Sequence, residues 1–205
     1  MEKVRLGVLG MGRQGQIHSR NIAYMIPEAE LVCASDISME RVERIGVDGV
    51  ELYDDYRRVL ERKDLDGIVV ATSTDTHEEV VRAAAAANLH MLCEKPIATT
   101  LPAIDALLQV VEKAGVKFMV AFNRRFDPTF AGVRQLVADG TVGSPMIVNI
   151  TSRDPEPPHL EYLKVCGGIF FDTAVHDFDM ARYLSGLEIE EVYATGSVLV
   201  DDRIG

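Results

Sequence analysis

Short apolar runs alternate with segments of helical periodicity over the first 122 residues. Each apolar run is only long enough for a buried strand and is bounded by glycine or polar residues. The runs predict strands at residues 4–9, 31–35, 67–71, 90–93 and 117–122, between helices at 13–25, 39–45, 53–62, 77–87 and 101–114. Such alternation predicts βαβ units, and right-handed crossovers then place helices on both faces of a parallel sheet. We therefore expect an α/β domain with a doubly wound parallel sheet over residues 1–122.

The pattern changes in the rest of the chain. Apolar and polar residues alternate over 145–153, and residues 189–200 are rich in β-branched side chains, so both segments predict strands. Helical periodicity covers residues 128–138 and 173–185. Two long strands and two helices cannot cover both faces of a sheet. We expect residues 123–205 to form an incomplete α+β domain.

Composition and charge exclude several classes of protein. The 205 residues are 47% hydrophobic and 26% charged, which supplies enough apolar surface for a folded core and excludes a disordered chain. The net charge of -11 disfavours nucleic acid, whose phosphates it would repel. No apolar run approaches the ~18 residues that span a bilayer, and the N-terminus leads directly into a strand, so we expect neither a membrane partner nor a signal peptide. Three cysteines without metal-ligand spacing favour reduced thiols, no bound metal and a cytoplasmic protein.

A glycine-rich motif follows the first predicted strand. Gly10-Met11-Gly12-Arg13-Gln14-Gly15 matches G-x-G-x-x-G and opens the first predicted helix, which is the context that dinucleotide binding requires. In such motifs the first glycine permits a tight turn, the second lets the backbone approach a pyrophosphate, and the third lets the helix pack closely on the sheet. The amide groups at the helix start then face the anion.

Asp36 ends the second predicted strand. An acidic residue there accepts hydrogen bonds from an adenosine ribose and repels a 2′-phosphate, which favours NAD over NADP. The alternative is that Asp36 caps the helix that starts near Ser38, although Ser38 is itself a suitable cap.

Further candidate residues follow in two segments. Glu94-Lys95-Pro96 comes directly after a sheet strand, at the carboxyl edge where ligands bind in open α/β sheets. Asp172 and His176 are four residues apart, so they share one face of a predicted helix, and Gly167-Gly168 precedes them.

Together these motifs resemble the Gfo/Idh/MocA oxidoreductases, the NAD(P)-dependent sugar and polyol dehydrogenases. The glycine motif, Glu94-Lys95-Pro96 and the Asp172/His176 pair occur in the family's order, and the resemblance covers essentially the whole chain. Segments 122–127, 152–158 and 176–182 resemble most the inositol-oxidising members. The resemblance implies oxidation of a secondary hydroxyl of a cyclic polyol or sugar, myo-inositol first of all, to the ketone.

The resemblance also implies residue roles. Lys95 matches the catalytic lysine, whose ammonium would stabilise a developing alkoxide. His176 matches the general base, and Asp172 matches the carboxylate that positions the substrate and supports the histidine. Lys95, Asp172 and His176 are the expected substrate contacts. Arg124, and Asp154 in a proline-rich loop, are further candidates, and a surface salt bridge is the alternative role of Arg124. The expected NAD contacts are Gly10, Met11, Gly12, Arg13, Gln14, Gly15, Asp36, Thr72, His77 and Glu94.

The chain departs from the family in length. Family members exceed ~300 residues, and their second domain carries a large, mostly antiparallel sheet that packs against another subunit, so the resemblance implies a homo-oligomer formed through that sheet. A truncated product, a fragment and an oligomer-completed sheet stay open as explanations. A non-catalytic nucleotide-binding regulator and an NAD-dependent glycoside hydrolase are alternative functions on the same fold.

Overall fold

The structure is a computed structural model, and it describes residues 2–156, 159–163 and 166–199. The chain divides into two compact units, residues 1–121 and residues 122–205.

The first unit is built on a six-stranded sheet whose paired strands are all parallel. The order is β3-β2-β1-β4-β5-β6, so β1 lies between β2 and β4 and the strand order reverses there. The strands are β1 (Val4–Leu9), β2 (Ala29–Ser35), β3 (Glu51–Tyr53), β4 (Gly67–Val70), β5 (His90–Cys93) and β6 (Phe118–Val120). This is the doubly wound order of a dinucleotide-binding domain, with the ligand crevice at the reversal.

Strand β4 and the second half of β1 are buried on both faces. All four residues of β4 are buried, and successive residues of β1 enter different cores: Val8 packs with Ala34, whereas Leu9 packs with Cys33. Adjacent side chains of a strand point to opposite faces, so two cores require helices on both sides of the sheet. This agrees with the predicted doubly wound sheet.

Helices connect the strands of the first unit. Their bounds are α1 (Arg13–Met25), α2 (Met39–Glu43), α3 (Tyr56–Leu60), α4 (Thr74–Ala86) and α5 (Leu101–Ala114). Helix α5 shows how local sequence sets both ends. The Thr100 hydroxyl accepts from the Ala103 amide at the start, and Gly115 ends the helix in the left-handed conformation with φ of +68°.

One predicted helix is wrong at its start. Helical periodicity predicts a helix from Tyr53 to Arg62, but Glu51–Tyr53 form strand β3 and the helix begins at Tyr56. The strand pairs with β2, Cys33 opposite Glu51, and Arg62 forms an ion pair with Glu51 at 2.8 Å. A strand of three residues is too short to show alternation, and pairing with β2 overrides the local periodicity.

The second unit is helical where it is regular. A 3₁₀ turn (Asn123–Phe126) leads into α6 (Pro128–Ala138); α7 (Leu160–Leu163), a π-helical turn (Phe170–Ala174) and α8 (Val175–Ser185) follow. Helices α6 and α8 pack against each other. Arg125 forms a bidentate ion pair with the buried Asp179 of α8, with Nε–Oδ2 2.8 Å and Nη2–Oδ1 2.6 Å. Planar two-point pairing of this kind is the strong form of a salt bridge and fixes the 3₁₀ turn to α8.

The predicted antiparallel sheet is not confirmed. Residues 145–153 and 189–199 contain no regular strand, and residue 200 lies outside the described residues. The side chains of Met146 and Tyr193 are 90% and 92% exposed. Alternating hydrophobicity makes a segment competent to form a strand, but a strand exists only when another strand satisfies its backbone groups. Neither segment has a strand partner among the described residues.

Candidate active site

Predicted site residues of the first unit lie together at one edge of the sheet. Gly10 follows β1, Asp36 follows β2, Thr72 comes soon after β4, and Glu94 follows β5. Because the strands are parallel, their carboxyl ends meet at this edge, and the β1/β4 reversal lies within it. The fold therefore gathers residues that are distant in sequence at the position where open α/β sheets bind ligands.

The three glycines of the motif lie in different surroundings. Gly10 has φ of +88°, and a Cβ atom on it would lie 2.5 Å from Ala71 O and Thr72 N. A Cβ on Gly15 would lie 1.8 Å from Gly10 O, so only glycine lets α1 approach the loop this closely. A Cβ on Gly12 would meet nothing within 4 Å. Packing within the protein therefore requires glycine at 10 and 15, whereas at Gly12 it leaves open space.

That open space adjoins a cavity with a strongly basic lining. The cavity measures about 490 Å³, and four of its seven lining residues are arginines. The lining residues are Met11, Gly12, Arg13, Gln16, Arg20, Arg41 and Arg44. Gly12 is the N-cap residue of α1, and it has no side chain to cap the amide groups of the first turn. An open glycine, a helix start and a guanidinium lining fit the pyrophosphate of a dinucleotide.

Asp36 contacts the glycine loop directly. Its Oδ2 accepts the Met11 amide at 2.7 Å, its Oδ1 accepts the Ser38 amide at 2.9 Å, and Arg41 Nη1 lies 3.8 Å from Oδ1. The side chain is 7% exposed. Each carboxylate oxygen accepts two hydrogen bonds, so these contacts leave acceptor capacity for a ribose hydroxyl. Ser38 is the N-cap residue of α2, but its side chain forms no cap hydrogen bond.

Lys95 lies just beyond β5, and both of its neighbours are held by histidines. Glu94 Oε1 accepts from His18 Nε2 of α1 at 2.7 Å. The Lys95–Pro96 peptide bond is cis, and Pro96 O lies 2.8 Å from His77 Nδ1.

Of the remaining predicted cofactor contacts, His77 is 1% exposed. Its second ring nitrogen, Nε2, lies 3.1 Å from Thr72 O. Thr72 Oγ1 accepts from the Thr76 hydroxyl at 2.9 Å. His77 therefore links the loop after β4 to the turn at Lys95, while Arg13 and Gln14 are exposed in the first turn of α1.

In the second unit, Asp172 lies in the π-helical turn and His176 is the second residue of α8. The sequence predicts both on one ordinary helix, but single π-turns inside helices recur at functional sites. Both side chains are partly exposed. The His176 ring meets the Phe122 ring edge to face, with centroids 6.4 Å apart.

Sequence reasoning missed a tyrosine beside Asp172. Tyr162 donates its hydroxyl hydrogen bond to Asp172 Oδ1 at 2.7 Å. Burial and this hydrogen bond raise the pKa of Tyr162, so it remains a donor throughout the neutral range. The residues are ten apart and separated by the Gly167-Gly168 turn, so no periodicity in the sequence links them.

Replacing Tyr162 with phenylalanine removes one donor from Asp172 and keeps the ring. We expect the KM for the polyol that the resemblance implies as substrate to rise roughly 3- to 10-fold, because a hydrogen bond to a charged group contributes about 1.5–3 kcal/mol and solvent replaces part of it. Steady-state kinetics with that substrate varied and NAD saturating measure this, with Tyr24→Phe, at an exposed tyrosine of the first unit, as the control. An unchanged KM would show that Tyr162 does not support Asp172.

The other predicted substrate contacts occupy different surroundings. Arg124 forms an ion pair with Asp177, and the Ser152 hydroxyl donates to the same carboxylate at 2.8 Å. Asp154 is exposed two residues beyond Ser152. Asp177, the residue after His176, therefore links Arg124 to the segment that carries Asp154.

The three cysteines are buried and form no disulfide. Cys33, Cys93 and Cys166 are buried free thiols, and burial raises the pKa of Cys33 and of Cys93 to about 12. These two thiols stay protonated at neutral pH and are poor nucleophiles.

Within the described ranges no cluster of three or more His, Cys, Asp or Glu side chains forms a metal-binding group. Among the same residues, no helix combines the length and apolar character that crossing a membrane requires.

Comparison with known proteins agrees with this geometry. Residues 4–122 match the Gfo/Idh/MocA family model described as oxidoreductase family, NAD-binding Rossmann fold. Residues 130–204 match the Gfo/Idh/MocA C-terminal domain.

Several individual relatives are inositol dehydrogenases. The chain is 46% identical to the myo-inositol 2-dehydrogenase of Thermotoga maritima and 42% identical to the inositol 2-dehydrogenase of Rhizobium meliloti, each over 98% of this chain and 61% of the relative. It superposes with a TM-score of 0.78 on the scyllo-inositol dehydrogenase of Lactobacillus casei, solved with bound NAD(H) and scyllo-inositol. That match has 30% identity and covers 90% of this chain and 57% of the other. The chain spans about three fifths of the length of the curated relatives it matches.

Proposed function

Because the chain belongs to the Gfo/Idh/MocA family of oxidoreductases, we propose that it is an NAD-dependent dehydrogenase that oxidises a secondary hydroxyl of a cyclic polyol, myo-inositol first of all, to the ketone. The observation that carries the proposal is the glycine loop, whose open position at Gly12 and arginine-lined cavity fit a dinucleotide. The inositol dehydrogenases among its relatives support the polyol substrate. They do not favour a regulator or a glycoside hydrolase.

NAD is the proposed cofactor. The family description names an NAD-binding Rossmann fold, and Asp36 beside the loop favours a ribose hydroxyl over a 2′-phosphate. The proposed contacts are the residues of the glycine motif, Asp36, Thr72 and His77. When bound, NAD supplies the acceptor for the carbinol hydrogen.

Each reacting residue has a proposed task. Lys95 holds the reacting hydroxyl and stabilises negative charge on its oxygen as the proton leaves. His176 accepts that proton, since an imidazole titrates near neutral pH. Asp172, supported by Tyr162, orients the substrate, and Arg124 and Asp154 are proposed to contact its other hydroxyls.

The test is inositol-dependent formation of NADH, followed by absorbance with NAD and myo-inositol at mildly alkaline pH. We expect a clear rate with NAD and a rate at least roughly 10-fold lower with NADP, because Asp36 repels a 2′-phosphate. scyllo-Inositol in place of myo-inositol tests stereochemistry. A preparation that binds NAD but reduces none with any inositol isomer would contradict the proposed reaction, and tighter binding of NADP would contradict the role of Asp36.

The domain arrangement and the setting of the protein are part of the proposal. We assign residues 1–122 to cofactor binding and residues 123–205 to substrate binding and homo-oligomerisation in the cytoplasm. Exposed apolar side chains along 146–150 and 192–199 support self-association, since isolated apolar side chains are ordinary but runs of them mark interfaces. Light scattering coupled to gel filtration measures the mass, and a monomer would contradict the oligomer.

A further inference from the structure

Lys95 lies in the turn that follows β5, just beyond the last paired residue of that strand. The Glu94 amide donates to Val70 O at 2.8 Å, and the Ala121 amide donates to Cys93 O at 2.9 Å. The paired part of β5 ends at Cys93. Beyond Glu94 the turn is therefore held by contacts other than the ladder, and any looseness there moves Lys95.

Two histidines supply such contacts from two different helices. His18, the sixth residue of α1, reaches Glu94 through Nε2 at 2.7 Å, and His77 of α4 reaches Pro96 O through Nδ1 at 2.8 Å. A carboxylate only accepts, so His18 donates to Glu94. The His18 and Glu94 side chains are 21% and 14% exposed, so solvent competes little for this hydrogen bond.

We propose that His18 and Glu94 form a positioning pair that fixes the turn carrying Lys95, and that Glu94 acts through the lysine and not as a direct cofactor contact. The hydrogen bond at Oε1 turns the Glu94 carboxylate toward α1. The kinetic part of this inference rests on the proposed dehydrogenase activity.

The pair also connects α1, which starts at the glycine loop, with the turn at Lys95. Helix α1 begins at the glycine loop, where Met11 contacts Asp36, and carries His18 about one and a half turns further along. A helix is stiff over that distance, so α1 carries the position of the loop to the Lys95 turn.

His18→Phe removes the donor and keeps an aromatic ring, whereas His18→Gln restores a donor of similar reach. We expect kcat to fall roughly 10- to 100-fold in His18→Phe, because a shift of about 1 Å in a reacting group has effects of that size. The Kd for NAD, from calorimetry, stays within about 2-fold, and His18→Gln recovers most of the lost kcat. His90→Phe is the matched control, since His90 lies at the opposite end of the same strand and accepts from the Lys117 amide.

A readout independent of the substrate separates this inference from the proposed function. Reductive methylation with ¹³C-formaldehyde labels lysines, and comparison with Lys95→Arg assigns the Lys95 signal. We expect His18→Phe and Glu94→Ala to move this signal toward that of exposed lysines, and His18→Gln and His90→Phe to leave it in place. If wild-type protein oxidises no inositol but the signal moves, the proposed function fails and the positioning pair stands.

Three results would overturn the pair. One is a Lys95 signal unchanged in both His18→Phe and Glu94→Ala. Another is a rise in the Kd for NAD in Glu94→Ala with kcat retained, which would make Glu94 a direct cofactor contact. A double variant whose loss of kcat equals the product of the single losses would also show that the two side chains do not act as a unit.

Discussion

Replacing Lys95 with alanine is expected to lower NAD-dependent inositol oxidation by at least about 10³-fold. The ammonium is the group assigned to the developing alkoxide, and loss of a single neutral donor at such a position already costs about 10²–10³ in kcat. NAD affinity stays unchanged, because the glycine loop and its arginine-lined cavity do not include Lys95. The measurements are the initial rate of NADH formation and the Kd for NAD by calorimetry.

Lys113→Ala is the matched control. Lys113 lies exposed in the last turn of α5, in the same unit, so its removal changes the protein's charge equally and leaves the site alone. Full turnover in Lys95→Ala would remove Lys95 from the mechanism. Equal losses in both variants would instead indicate an effect of net charge.

The first unit could be predicted well because its information is local. The apolar run before Gly10 and the helical periodicity after Gly15 are each unbroken in the sequence, and the glycines between them form one recognisable motif. Parallel strands then bring Asp36 and Lys95 to the same edge without any further information. Strand β3 was the exception, because three residues carry no readable alternation.

Contacts between residues that are distant in sequence could not be predicted from local patterns. Nothing local in sequence connects His18 with Glu94, 76 residues later, and a histidine inside a helix is more often a packing residue. The contact of Tyr162 with Asp172 depends on the turn at Gly167-Gly168 and on the π-helical turn, neither of which hydrophobic periodicity reveals. The segments 145–153 and 189–199 fail differently: their alternation is real, but strand formation depends on a partner strand.

Substitutions in the glycine motif are the second pair of variants with a large expected effect. Packing within the protein requires glycine at position 15, whereas at position 12 only a bound ligand would require it. Gly12 has φ of -68° and ψ of -166°, which any residue adopts, and a Cβ there meets no protein atom within 4 Å. We expect Gly12→Ala to keep the wild-type Tm and to raise the Kd for NAD at least about 10-fold, because the added methyl group occupies the space into which the pyrophosphate fits. Thermal unfolding and calorimetry measure the two quantities.

Gly15→Ala is expected to act on the fold itself. Its Cβ would lie 1.8 Å from Gly10 O, so α1 or the loop must shift. Overpacking of this kind costs about 3 kcal/mol, which lowers the Tm of a chain of this size by roughly 6–12 °C. Gly132→Ala in α6 is the control, since a Cβ there has open space and alanine favours a helix.

The two variants together test whether the loop is built for a ligand. Substitution of a glycine that only the fold requires lowers the Tm even in the absence of NAD, as is expected for Gly15. Substitution of a glycine reserved for a ligand changes only the affinity for NAD. If Gly12→Ala binds NAD as tightly as the wild type, the pyrophosphate does not approach the backbone at Gly12. The open space there would then be ordinary loop surface, and the observation that carries the proposed function would be lost.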